Sequence, residues 1–357
     1  MPTRAKQVAV IYSEHAGQFE SYRIELDNIV SRLSNIMLSN VVLCELETIE
    51  EKLNLDEFHS VFVMGGDGSV GRVLGVVAKY NAGSSRRVPV GIIPGGTGNI
   101  FAECLGLMKK DRANLIEYAL NVIEEKCTAT VDIGQANGTP FVIDVGIGPF
   151  ATAITKPGSN DKYHQGMLSY IKPLFRALRK RPYKFKITAD GESFAINASG
   201  IFVSNPPEIG IGQESDLSGI QDGLLDLCIM NPQEVDDYFR IAKKYGAWFL
   251  AGVMIDDTPY KVMKVKEVTI EALEPADDEA LMSKVMEVEA IPLEERVIEG
   301  SRQLKAMLDG DPFEFTPLSA SILPGAVDVY VAREILEKSS TRKADQAQNL
   351  NSSVKVV

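Results

Sequence analysis

"FVMGGDGSVGRV", Phe62–Val73, decides how the first half of this chain is read. Apolar Phe62, Val63 and Met64 run straight into Gly65, Gly66, Asp67 and Gly68, after which Val70 and Val73 resume an apolar pattern at helical spacing. A strand, a turn almost without side chains and a helix therefore follow one another. A loop whose amides approach phosphate oxygens cannot carry Cβ atoms, and glycine supplies both the room and the positive φ angles. Ser69 stands near the helix start, where the helix end adds a partial positive charge. GxxxxGK[ST] spacing is not present. Alone, the loop reads equally well as a tight turn in which Asp67 caps the helix.

The loop is repeated. "IIPGGTGNIFA", Ile92–Ala102, carries Gly95, Gly96, Thr97, Gly98 and Asn99 between another strand and another helix. Working outward, "KQVAVIY", "NVVLCEL", "SVFVM" and "VPVGIIP" read as strands, and "QFESYRIELDNIVSRLSNIM", "TIEEKLN", "VGRVLGVVAKYN" and "NIFAECLGL" as helices between and after them. This alternation predicts an α/β domain built on a parallel sheet covered on both faces. Two glycine loops at the carboxyl ends of neighbouring parallel strands face the crevice where open α/β sheets bind ligands, which points to a nucleotide.

After Cys127 the texture becomes β-rich, with Asn137-Gly138 and Asp190-Gly191 as turn signals between strands. The expected organisation is an α/β domain over 1–127, rejoined by 316–335, a mostly antiparallel β-sandwich domain over 128–315 and a disordered tail over 336–357. Two helical segments, 165–180 and 235–253, interrupt the second domain.

The chain of 357 residues is 45% hydrophobic and 24% charged, ordinary for a globular enzyme of two domains. Its net charge of −12 disfavours nucleic acid as a partner. No apolar run approaches a membrane span, and the N-terminal stretch does not read as a signal peptide, so the expected location is cytoplasmic. The four cysteines, Cys44, Cys104, Cys127 and Cys228, are far apart and read as reduced, mostly buried thiols. Charge is uneven: 156–186 holds nine Lys/Arg against one acid, whereas 271–300 holds ten acids. Within the basic run, Met167, Ile171, Leu174 and Leu178 recur at helical spacing, so this helix either covers a core or lies peripherally on an anionic membrane.

Two further stretches, "QDGLLDLCI" (Gln221–Ile229) and "LDGDPFEFTP" (Leu308–Pro317), and the closing strand "ILPGAVDVYV" (Ile322–Val331) complete a pattern. With GGDGS and PGGTGN before them, these motifs resemble the lipid kinase family of bacterial diacylglycerol kinases and sphingosine kinases, whose nucleotide domain is similar to those of NAD kinases and phosphofructokinases. The resemblance covers about residues 8–331. It implies ATP and Mg²⁺ as cofactors, with Gly65, Gly66, Asp67, Gly68 and Ser69 in the first phosphate loop and Gly96, Thr97 and Asn99 in the second. Ser13 and Gly17 fall in the counterpart of the family's first nucleotide loop. Asp222, with the carbonyls of Gly219 and Leu224, would correspond to a structural magnesium site. Asp309 and Asp311 match the segment that supplies the catalytic base, and Asp67 is a third candidate for that role. A plain Asp-Gly turn is the competing account of Asp309 and Asp311.

The sequence departs from the family at Ser13-Glu14, where Asn-Pro is usual, at Gly71-Arg72 in place of Asn-Glu, at Ile100 in place of Asp, and at Asp311 in place of Glu. The implied reaction is ATP-dependent phosphorylation of diacylglycerol or a related lipid alcohol, with the base brought across an interdomain cleft to the substrate hydroxyl. A soluble kinase of the NAD kinase type and a non-catalytic nucleotide- or lipid-binding relative are the alternatives. The expected partner is a membrane lipid, and the reading leaves a homodimer open.

Overall fold

The computed structural model describes residues 7–13, 23, 25–96, 98–108, 114–148, 182–206, 217–231, 260–273, 304–314 and 317–341. The chain divides into two compact units: Met1–Ile133, Glu214–Gly223 and Leu323–Val357 form the first, and Gly134–Gln213 with Leu224–Ile322 form the second.

In the first unit β1 (Gln7–Tyr12), β2 (Val41–Glu45), β3 (Phe58–Gly65) and β4 (Val90–Pro94) pair in parallel in the order β2-β1-β3-β4. The helices are α1 (Leu26–Met37), the single turn α2 (Ile49–Lys52), α3 (Asp67–Gly83), α4 (Ile100–Cys104) and α5 (Leu115–Glu124). Val8 and Val10 of β1 and Phe62 and Met64 of β3 share one face and pack with Ile29, Leu33 and Ile36 of α1 and Ile116, Leu120 and Ile123 of α5. The opposite-facing Ala9, Ile11, Val61 and Val63 are also buried, as a parallel sheet flanked by helices requires. Along α3 the buried Val70, Val73, Leu74 and Val77 recur at helical spacing.

The chain leaves this unit along β5 (Thr128–Ala136), which explains why the boundary lies at 133/134 rather than the expected 127/128: one uninterrupted strand crosses it. The second unit contains β6 (Thr139–Phe141), β7 (Asp144–Ile147), β8 (Tyr183–Ala189), β9 (Glu192–Ala198), β10 (Gly200–Ser204), β11 (Leu225–Met230), β12 (Tyr260–Val265), β13 (Glu267–Ala272), β14 (Lys305–Leu308) and β15 (Asp311–Glu314). β16 (Leu318–Tyr330) returns: its first residues pair antiparallel with β13, and Val329 pairs in parallel with Val90 of β4. The return thus begins at 323 instead of 316, and residues 214–223 also belong to the first unit.

Within the second unit an antiparallel sheet ordered β12-β11-β10-β7-β14-β15 shares a core with β8, β9 and β13. Alternate residues build it: Val145, Ile147, Ile201, Val203, Leu225, Leu227 and Ile229 from one sheet, Phe185, Ile187, Val268 and Ile270 from the other. The expected parallel-sheet domain and β-sandwich domain are both present.

Two expectations change. The tail is helical over 333–341 rather than disordered from 336, because Ile335 is buried at 2% exposure and side chains of Ser340 and Thr341 bond back to the helix carbonyls of Leu336 and Glu337. Of the four free cysteines only Cys228 is buried; the others are half-buried. The helices expected over 165–180 and 235–253, the basic run up to 181, the acidic stretch from 274 to 300 and the tail from 342 lie outside the described residues.

Candidate functional site

β3 and β4 end side by side, with the Gly95 amide donating to the Gly65 carbonyl at 2.9 Å as the last rung between them. The two loops then meet backbone to backbone. A Cβ on Gly96 would lie 2.4 Å from the Gly66 Cα, and one on Gly66 would lie 3.1 Å from the Gly96 Cα. Gly65 is held by its own turn, since a Cβ there would strike the Ser69 side chain at 2.7 Å. Gly66 and Gly96 are therefore demanded by the contact between the loops and Gly65 by its own turn, apart from any phosphate. Asn99 shapes the second loop. At φ 56° it is in the left-handed region, its Oδ1 accepts from the Gly96 amide and its Nδ2 donates to the Gly96 carbonyl, each at 2.7 Å.

Asp67 opens α3, and its carboxylate reaches the other loop rather than its own helix. The Ile100 amide donates to Oδ2 at 3.2 Å and the Phe101 amide to Oδ1 at 3.1 Å. Burial pushes the Asp67 carboxyl above the ordinary carboxylate range, against the backbone N–H groups of Phe101, Ile100, Asn99 and Asp67 itself, which favour the charged form. Gly68 and Ser69 are half-buried beside it. Thr97 and Gly17, expected at the nucleotide, lie outside the described residues, as does Glu14.

Ser13, at the end of β1, is buried and donates from Oγ to Glu47 Oε1 at 2.5 Å. Glu47 follows β2 and is exposed. Arg72, on the first turns of α3, pairs with Glu50 at 3.1 Å on the surface. Ser13 thus reaches an acid that motif reading had not singled out.

Asp222 lines an open cleft of the first unit, about 490 Å³ in volume, together with Thr130, Asp132, Gln221, Gly223, Pro324 and Gly325. Asp222 is exposed and Gly219 buried, whereas Leu224 belongs to the second unit, at the start of its second segment. Asp132, inside β5 at 3% exposure, organises the cleft: the amides of Gly223 and Gly325 donate to its two oxygens at 2.8 and 2.6 Å. Both glycines sit at positive φ, 71° and 56°, turning their amides toward it. Sequence reasoning passed over Asp132, though an acid inside the apolar run "TVDIG" was a signal. Asp226, four residues beyond Asp222, belongs instead to the second unit, where it is buried and paired with Lys264 at 2.9 Å. Among the described residues no three His, Cys, Asp or Glu side chains converge as a metal cluster.

Asp309 and Gly310, at φ 47° and 87°, form the tight turn between β14 and β15. Both Asp309 oxygens accept backbone amides: Oδ2 from Val142 at 2.9 Å, and Oδ1 from Ile143 at 2.8 Å and Asp144 at 3.2 Å. The same construction recurs at plain hairpins of this unit. Asp190, at φ 48° between β8 and β9, accepts from Lys266 and Glu267 through Oδ1. Asn137, at φ 46° between β5 and β6, accepts from Ser319 through Oδ1. Asp309 has the geometry of a structural turn, and Asp311, the first residue of β15, presents an exposed carboxylate beyond it.

Residues 7–136 match the diacylglycerol kinase catalytic domain, and residues 143–297 match the YegS C-terminal NAD kinase beta sandwich-like domain. A diacylglycerol kinase of Bacillus subtilis is 27% identical over 222 residues, 62% of this chain and 69% of the relative. An uncharacterized protein of Synechocystis is 30% identical over 176 residues, 48% of this chain; the match spans only 38% of that protein's length. A crystal structure of a diacylglycerol kinase from Bacillus anthracis superposes with a TM-score of 0.58 at 19% identity, covering 93% of this chain and 99% of that one, a likeness of fold.

Proposed function

The chain belongs to the diacylglycerol kinase-like lipid kinase family, and on that premise we propose that it transfers the γ-phosphate of ATP to the hydroxyl of diacylglycerol or a related lipid alcohol. The observation that carries the proposal is the pair of glycine loops whose backbones touch at Gly66 and Gly96 at the ends of β3 and β4. Glycines at 65, 66, 68, 96 and 98 leave much of this backbone without Cβ atoms, and the start of α3 adds its dipole.

Asp311 is the base in this reading. Asp309 commits both oxygens to backbone amides, which leaves it little capacity to take a proton from a hydroxyl, whereas Asp311 is exposed on the strand that Asp309 positions. Proton abstraction by Asp311 raises the nucleophilicity of the lipid hydroxyl as it attacks the γ-phosphorus, and the bond to the β-phosphate oxygen breaks in line. Magnesium, when bound, neutralises charge on the phosphates or braces the fold. The Asp222 cleft suits it in kind through the exposed Asp222 carboxylate, a hard oxygen donor; both Asp132 oxygens already accept backbone amides, so among the described residues a cation would be held by few protein ligands. No helix among the described residues is long and apolar enough to cross a membrane.

The experiment is transfer of labelled γ-phosphate from Mg-ATP to a panel of lipid alcohols in mixed micelles, with NAD as a soluble acceptor and an EDTA arm. Labelled phospholipid that vanishes with EDTA supports the proposal. Label in NAD instead moves the protein to the soluble branch, and no transfer despite ATP binding makes it a non-catalytic relative.

A further inference from the structure

The chemistry expected of Asp67, holding magnesium or taking a proton, conflicts with what its carboxylate touches. Each oxygen accepts an amide from the start of α4, and these are first-turn N–H groups with no partner inside their own helix. The Gly66–Gly96 contact brings the two loops together at the same place, and a Cβ on Gly98 would lie 3.1 Å from Asp67 Oδ2. Three neighbouring glycines of two loops are thus shaped around one carboxylate and one backbone contact. The second loop is folded further by Asn99 on Gly96, so its conformation is set from both ends.

We propose that Asp67 is a positioning residue that clamps the second glycine loop onto the first, and that it is neither the catalytic base nor a magnesium ligand. The inference rests on the nucleotide reading for its effect on ATP, but not for the clamp itself. An acid is needed because two donors 3.1 and 3.2 Å away must be met by two acceptor oxygens. An asparagine offers one oxygen and turns an NH₂ toward the other amide, where donor faces donor. The clamp also accounts for Ile100, where the family has an aspartate: the backbone amide of that residue is what Asp67 uses, so the side chain is free to vary.

The test is Asp67→Asn, read in two ways on the full-length protein. Hydrogen exchange in the absence of any ligand should accelerate at the Ile100 and Phe101 amides by about tenfold or more, with the β-sandwich unchanged. In the phosphoryl-transfer assay the KM for ATP should rise about 10- to 100-fold while kcat at saturating ATP falls less than about tenfold, the pattern of lost binding rather than lost chemistry. Unchanged exchange at both amides overturns the clamp whatever the activity. A kcat collapse of about a thousandfold at unchanged KM overturns the claim that Asp67 only positions. If the protein transfers no phosphate at all, the kinase reading fails and the exchange measurement still decides the clamp. Should Asp67→Asn not fold, Gly98→Ala presses a methyl group toward Oδ2 with every charge retained. It should speed exchange at the same two amides several-fold, and no change there overturns the proposal equally.

Discussion

Asp67 in the first unit and Asp309 in the second both precede a glycine, and both hold backbone amides from a distant part of the chain. Asp67 stands at the start of a long helix, and the segment it holds, Ile100 and Phe101, begins α4 just after the second glycine loop. Asp309 sits at positive φ inside a two-residue hairpin, and the segment it holds, 142–144, leads into the neighbouring strand β7. The same Asp-Gly pair therefore joins two loops in one unit and braces a sheet in the other. The number of oxygens used separates both from ordinary turns. Asp67 and Asp309 use two, whereas Asp190 uses Oδ1 only. An aspartate is replaceable by asparagine where one oxygen suffices, and not where two are engaged.

The largest expected effect falls on the residue neither clamp uses. Asp311→Asn should lower kcat by about 10²- to 10⁴-fold with the melting temperature unchanged, as loss of a general base does. Full activity in that variant would remove the base from Asp311 and reopen the competition with Asp309 and Asp67.

Asp309→Asn should act on stability. It leaves one of the amides of the buried Val142, Ile143 and Asp144 without an acceptor, a cost of about 2 kcal/mol in urea unfolding. The control is Asp190→Asn, which keeps the single oxygen in use and should cost less than about 0.5 kcal/mol. Equal losses in the two variants would erase the distinction between one-oxygen and two-oxygen turns.

The smallest effect concerns a left-handed residue with no such role. Leu38 ends α1 at φ 50° with 86% of its surface exposed, at a position where glycine is usual. Leu38→Gly should stabilise the protein by roughly 0.5–1 kcal/mol by relieving backbone strain. A loss of stability there would mean that the exposed leucine contributes more than its backbone costs.

Much of the molecule was legible beforehand. Strand–helix alternation around "GGDGS" and "PGGTGN" predicted the parallel sheet, and apolar alternation with Asn-Gly and Asp-Gly turns predicted the antiparallel unit. Both periodicities are local, and burial on one or both faces enforces them. Boundaries were less legible, because β5 and β16 are continuous strands that cross from unit to unit with no change in composition. Asp132 was missed for a related reason: its partners, Gly223 and Gly325, lie 91 and 193 residues away, beyond any motif window.

By itself the sequence determined the order of elements, the two glycine loops, the motif resemblance and a short set of candidate acids, since those follow from residue types and spacing along a few residues. Which of these acids are exposed and which are given to the backbone was decided only by the tertiary structure. Whether Asp67, Asp222, Asp309 or Asp311 presents a carboxylate to solvent or gives it to the backbone depends on which distant amides are brought within about 3 Å, and hydrogen bonds of that kind exist only once the sheets have formed.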